Sequence, residues 1–91
     1  MAPEREVILL TSDDCGFCQD AKEILGRLQM EYAFGLTEID MRSPGGVELA
    51  RAGELLFPPG IVIDGEPFGY GRPSEKKLRR RLAPEIPGGG D

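Results

Sequence analysis

The chain has 91 residues, with 11 basic and 16 acidic side chains, no histidine and a formal charge of −5. That length supports one small domain with a single core, and a composition 40% hydrophobic and 30% charged is that of a globular protein in water. A pI near 4.7 argues against nucleic acid as a partner, because phosphate binding needs a net basic surface; no apolar run approaches the ~20 residues that span a bilayer, so no membrane partner is expected.

The start, MAPEREVILLTSDD, holds an apolar run of only four residues, Val7 to Leu10, and no small-residue cleavage pattern. No signal peptide is therefore expected, and the expected location is cytoplasmic. The stretch Glu6 to Leu10 reads as a short buried strand. Beyond the cysteines, Phe17, Ala21, Ile24, Leu25, Leu28 and Tyr32 recur at steps of three and four, which predicts one apolar stripe on an amphipathic helix. Gly26 within it costs about 1 kcal/mol relative to alanine without breaking the pattern. Gly35 reads as a turn, and Leu36 to Asp40 alternates as a second strand.

Pro44 is suited to open a short helix over roughly Gly46 to Ala52, with Val47, Leu49 and Ala50 as its apolar members. In IVIDGEPF two apolar runs flank Asp64-Gly65, a dipeptide that accepts the positive φ angles of a tight hairpin. Ser74 is a good N-cap for a helix over EKKLRRRL. The basic residues Lys76, Lys77, Arg79, Arg80 and Arg81 suit the C-terminal end of that helix and balance the acidic remainder. A docking patch for an acidic partner is the alternative reading of Lys76 to Arg81. Residues 1–83 form the expected domain, and 84–91, with two prolines and three glycines, a flexible tail.

The order is thus β-α-β-α-β-β-α. The first two strands should be parallel with a right-handed crossover, and the last two an antiparallel hairpin, giving an α/β fold with a mixed four-stranded sheet flanked by three helices.

Both cysteines stand where the first strand ends and the first helix begins, as Cys15-Gly16-Phe17-Cys18. Three residues is nearly one helical turn, so the sulfurs can lie within bonding range. Free N–H groups at a helix start favour an anion, which lowers the pKa of a thiol at Cys15; thiolate is the form that attacks a disulfide. Cys18, one turn inside, should be more buried, so Cys15 is the expected attacking residue and Cys18 the resolving one. Asp13 and Asp14 oppose the thiolate. Phe17 reads either as packing or as a contact for incoming substrate. Structural zinc needs four ligands, and one chain offers two thiols and no histidine, so no metal is expected without a dimer, carboxylates or an external thiol.

With CGFC at the first helix start and FPPGIVIDG at residues 57–65, the chain resembles a glutaredoxin of the thioredoxin superfamily, closest to a bacterial glutaredoxin-like group with an LFPPG segment. The match runs from about Glu6 to Leu82. It implies the thioredoxin fold of glutaredoxin type, with Pro59 at the cis-proline position. It also implies a thiol-disulfide oxidoreductase in which Cys15 and Cys18 are catalytic. Phe17, Phe57, Pro58, Pro59 and Tyr70 are the implied substrate-binding residues. The expected substrates are disulfides of proteins or of low-molecular-weight thiols. Electrons are expected from a low-molecular-weight thiol or a reductase, with no tightly bound cofactor, and the chain is expected to be a monomer.

Three positions depart from the family. Ser12 stands where a lysine usually holds a glutathione carboxylate. Tyr70-Gly71-Arg72-Pro73 places a cation where an acidic group is expected. Pro58, before the cis-proline, has no N–H for the substrate main chain, a loss of about 1 kcal/mol. Glutathione is thus expected to be a poor ligand. Other readings are an iron–sulfur or metal carrier, since some glutaredoxins hold a cluster with Cys-Gly-Phe-Ser, and a non-catalytic binding module that docks through KKLRRRL.

Overall fold

Strand β1 (Arg5–Thr11) is apolar at successive positions because both of its faces are covered. Side chains alternate across a strand, so Val7 and Leu9 join one core cluster while Ile8 and Leu10 join the other. Strand β3 (Gly60–Ile63) repeats this, sending Ile61 and Ile63 one way and Val62 the other. The computed structural model describes residues 5–13 and 15–83; Asp14 and the expected tail at 84–91 lie outside them.

The element order is β1, α1 (Gly16–Gln29), β2 (Phe34–Asp40), α2 (Pro44–Gly53), β3, β4 (Glu66–Tyr70) and α3 (Glu75–Leu82). These strands form one mixed sheet in the order β2-β1-β3-β4. β1 is parallel to β2, with Arg5 opposite Phe34 and Thr11 opposite Asp40. It is antiparallel to β3, with Leu10 opposite Gly60. β3 and β4 pair antiparallel with a register shift at Ile61/Val62, and the edge position of β4 tolerates Pro67.

The larger cluster lies under α1 and α3, where Ala21, Leu25, Leu28, Leu78 and Leu82 meet Val7, Leu9, Ile61 and Ile63. Each fully buried leucine there contributes about 2 kcal/mol. The smaller cluster lies under α2, where Leu49 and Ala50 pack on Leu10, Leu55 and Val62. Among the described residues no helix is long and apolar enough to cross a membrane.

Local chemistry sets the ends of the elements. Asp64 (φ 53°) and Gly65 (φ 82°) form the expected tight turn, matching the twist of the paired strands. The turn is pinned to β1: Asp64 N–H donates to the Glu6 carbonyl (2.8 Å), and Glu6 N–H donates to Asp64 Oδ1 (2.9 Å). Ser43 and Ser74 cap α2 and α3, accepting from the N–H groups of Gly46 and Lys77. Arg27 pairs with Glu75 at 2.8 Å, and Arg79 pairs with both Glu75 and Glu31, lashing α3 to α1. Part of the basic run is therefore engaged inside the fold.

Four local expectations are corrected. Gly35 is not a turn but a β2 residue, because parallel pairing with Glu6 carries the strand through it. Tyr32 lies beyond the end of α1, yet still packs on the larger cluster. Phe17 and Val47 are 44% and 40% exposed, so neither belongs to the core. α2 begins at Pro44 rather than Gly46, since proline itself fits the first helical position.

Candidate active site

The strand pairing gathers the candidate residues at one end of the sheet. Leu10 lies opposite Gly60, and Gly60 opposite Tyr70. The loop carrying Cys15 follows β1, the segment ending at Pro59 precedes β3, and the segment after Tyr70 leaves β4. All three therefore emerge at the same end of the sheet.

Cys15 is the N-cap of α1, with extended backbone (φ −130°, ψ 103°). Its sulfur is bonded to that of Cys18, with the Cα atoms 5.3 Å apart. Cys18, in the first turn, is 4% exposed, and its N–H donates to the Cys15 carbonyl at 3.3 Å. Cys15 is half-buried and so the more exposed of the two cysteines. Among the described residues no side chain caps α1, and its first turn contains no acidic residue. The positive end of the helix is thus left to act on Cys15. Asp13 is exposed. Ser12 is half-buried and brings no charge.

Pro58 and Pro59, the latter fully buried, are joined by a cis peptide bond. Before them the chain runs through Leu55, Leu56 and Phe57. Three consecutive apolar residues in a loop cannot all face inward: Leu55 is buried, while Leu56 and Phe57 are 73% and 53% exposed. Phe57 meets Tyr70 edge-on, with ring centroids 4.9 Å apart and planes at 87°, a favoured aromatic geometry. Gly71, at φ 83°, donates its N–H to the Pro59 carbonyl at 2.8 Å. Phe57, Pro58, Pro59 and Tyr70 are thus brought into one wall. Phe17 stands on the first turn of α1 and makes no aromatic pair with them.

Leu56 and Gly71 stand in the LFPPG and Tyr70-Gly71-Arg72-Pro73 segments, but neither is among the substrate-binding residues that the sequence implied. The run LLF before two prolines was the available signal for the first. For the second it was a glycine between the β4 pattern and the Ser74 cap. A pocket of about 230 Å³ adjoins this wall, lined by Pro59, Ile61, Phe68, Tyr70, Arg72 and Lys77 among others. Among the described residues no three His, Cys, Asp or Glu side chains converge as metal ligands.

No protein-family model and no curated protein matches the chain. Solved structures do. A mutant thioredoxin from Halobacterium salinarum NRC-1 aligns with a TM-score of 0.69 at 23% identity, over 88% of this chain and 73% of that one. Glutaredoxin 1 from Francisella tularensis, complexed with cacodylate, aligns with a TM-score of 0.47 at 28% identity, over 85% of this chain and 91% of that one. The sheet order, the three helices and the first of these likenesses establish the fold. The chain is a thioredoxin-fold protein with a Cys-x-x-Cys disulfide at the start of its first helix.

Proposed function

We propose that the protein is a small thiol-disulfide oxidoreductase that reduces disulfides or mixed disulfides on proteins or low-molecular-weight thiols. The observation that carries this reading is the Cys15–Cys18 bond at the N-terminus of α1, with Cys18 buried and Cys15 only half-buried.

The described state is the oxidised one. After two-electron reduction, Cys15 thiolate attacks one sulfur of the substrate disulfide. That bond breaks, and the first substrate thiol leaves and takes up a proton. Cys18 then loses its proton and attacks the Cys15 sulfur, releasing the second thiol and restoring the Cys15–Cys18 bond. Protein dithiol and substrate disulfide are thereby converted to protein disulfide and two substrate thiols. A low-molecular-weight thiol or a reductase returns two electrons. This reading places the protein in the cytoplasm, where such reductants keep thiols reduced.

Pro58 limits how substrate is held, since it has no N–H to offer an adjacent main chain. Leu56, Phe57 and Tyr70 offer apolar area in its place. The test is disulfide reduction by the wild type, Cys15→Ser and Cys18→Ser. Loss of turnover in both variants, with a mixed disulfide trapped on Cys15 in Cys18→Ser, is the expected result. Undiminished turnover in Cys15→Ser overturns the reading.

A further inference from the structure

The pocket between the end of β4 and the start of α3 carries a charge opposite to that of the chain. Its lining, which includes Arg72 and Lys77, contains no acidic residue, although acidic residues outnumber basic ones 16 to 11. Neighbouring cations are neutralised within the fold, Arg27 by Glu75 and Arg79 by Glu75 and Glu31. Arg72 and Lys77 form no ion pair with any described residue. The rest of the wall includes Pro59, Ile61 and Phe68, so the pocket joins apolar surface to two positive charges that have no ion-pair partner among the described residues. Pro59 and Tyr70 belong both to this pocket and to the wall at the end of the sheet from which the Cys15 loop emerges.

We infer that Arg72 and Lys77 select disulfide substrates that carry an anionic group, a carboxylate foremost, on a short apolar arm beside the sulfur. This rests on the oxidoreductase reading and names its substrate class. It departs from the glutaredoxin resemblance, which expects an acidic group in this corner. A neighbouring hollow shares Arg72 and Pro73 but also holds Asp20, Glu23 and Arg27. The carboxylate has two sources, a small thiol acid or an acidic residue beside a protein cysteine.

The test uses pre-reduced full-length protein without added reductant. Loss of its thiols is followed by quenched alkylation and mass spectrometry. One arm supplies dithiodipropionate, its longer homologue dithiodicaproate, neutral hydroxyethyl disulfide and cationic cystamine. A second arm supplies two disulfide-bridged peptides differing only in Glu or Gln beside the cysteine. The anionic member of at least one arm should react about five-fold faster than its neutral counterpart, as one partly solvated charge pair predicts. Lys77→Gln and Arg72→Gln should collapse that ratio. Arg51→Gln, the same charge change on the exposed surface of α2, should leave it intact. The arm showing the preference identifies the source. No preference in either arm, or one that survives Lys77→Gln with Arg72→Gln, overturns the inference and leaves the oxidoreductase reading standing. Failure of every disulfide to oxidise the protein sinks both.

Discussion

The main-chain N–H of Gly71 donates to the carbonyl of Pro59 at 2.8 Å, tying the exit of β4 to the proline segment before β3. The left-handed φ of 83° makes this contact available, and the Phe57 ring closes over the glycine: a Cβ at position 71 would lie 3.1 Å from Phe57 Cε1. Gly71→Ala should therefore cost about 1–2 kcal/mol. It should lower Tm by ~4–8 °C per kcal/mol in a domain of this size. It should also displace Phe57 from Tyr70, so that KM for a disulfide substrate rises more than kcat falls. A thermal melt and steady-state kinetics check the two parts.

Gly16 is exposed, and a side chain there would meet nothing within 4 Å. Gly16→Asp places a carboxylate in the first turn of α1 without a clash. It should disfavour the Cys15 thiolate in the reduced protein, because a nearby negative charge opposes it. Thiolate absorbance against pH in Gly16→Asp and wild type measures the shift. Equal titration curves would show that the start of the helix does not govern Cys15.

Gly46 is buried in the first turn of α2, where a Cβ would fall 2.1 Å from the carbonyl oxygen of Asp40. That oxygen already accepts from Ser43 Oγ (2.6 Å) and Ser43 N–H (3.0 Å), so the backbone has little room to give. Gly46→Ala should destabilise the fold by roughly 1–3 kcal/mol, the usual range for overpacking, although alanine favours a helix. Urea denaturation checks it.

Asp64 is held below its ordinary carboxyl pKa of 3.8, first by the Glu6 N–H and then by Arg5. Glu75 is held below 4.5 by Arg27 and Arg79. A carboxyl group depressed in the folded state stabilises it above the unfolded pKa, and that contribution is lost as pH falls through the folded value. Asp64→Asn should therefore be less stable than wild type at neutral pH. The gap should narrow below about pH 4 and close at lower pH. Urea midpoints measured across that range provide the comparison, and a gap independent of pH contradicts the assignment.

The element types and their order are legible in the sequence because each rests on a local signal. Ser74 caps its helix, Asp64-Gly65 turns its hairpin, and Leu25 and Leu28 recur at a helical period. Gly35 misled because strand extension depends on a partner: Glu6 pairs with it across the sheet, and no local pattern reports that. Phe17 fits the apolar stripe by spacing, yet it occupies the first turn of α1 and stays exposed.

By itself the sequence determined a cysteine pair at a strand-to-helix junction and the continuous apolar run that marks β1 as a buried strand. Periodicity, capping and turn chemistry act over a few residues, so a linear reading captures them. Tertiary structure alone decided that Phe57 stacks edge-on against Tyr70, that Gly71 bonds to Pro59, and that Arg72 and Lys77 line one pocket. Those relations join residues from separate elements, and they exist only once strand register and helix packing bring the segments to one end of the sheet.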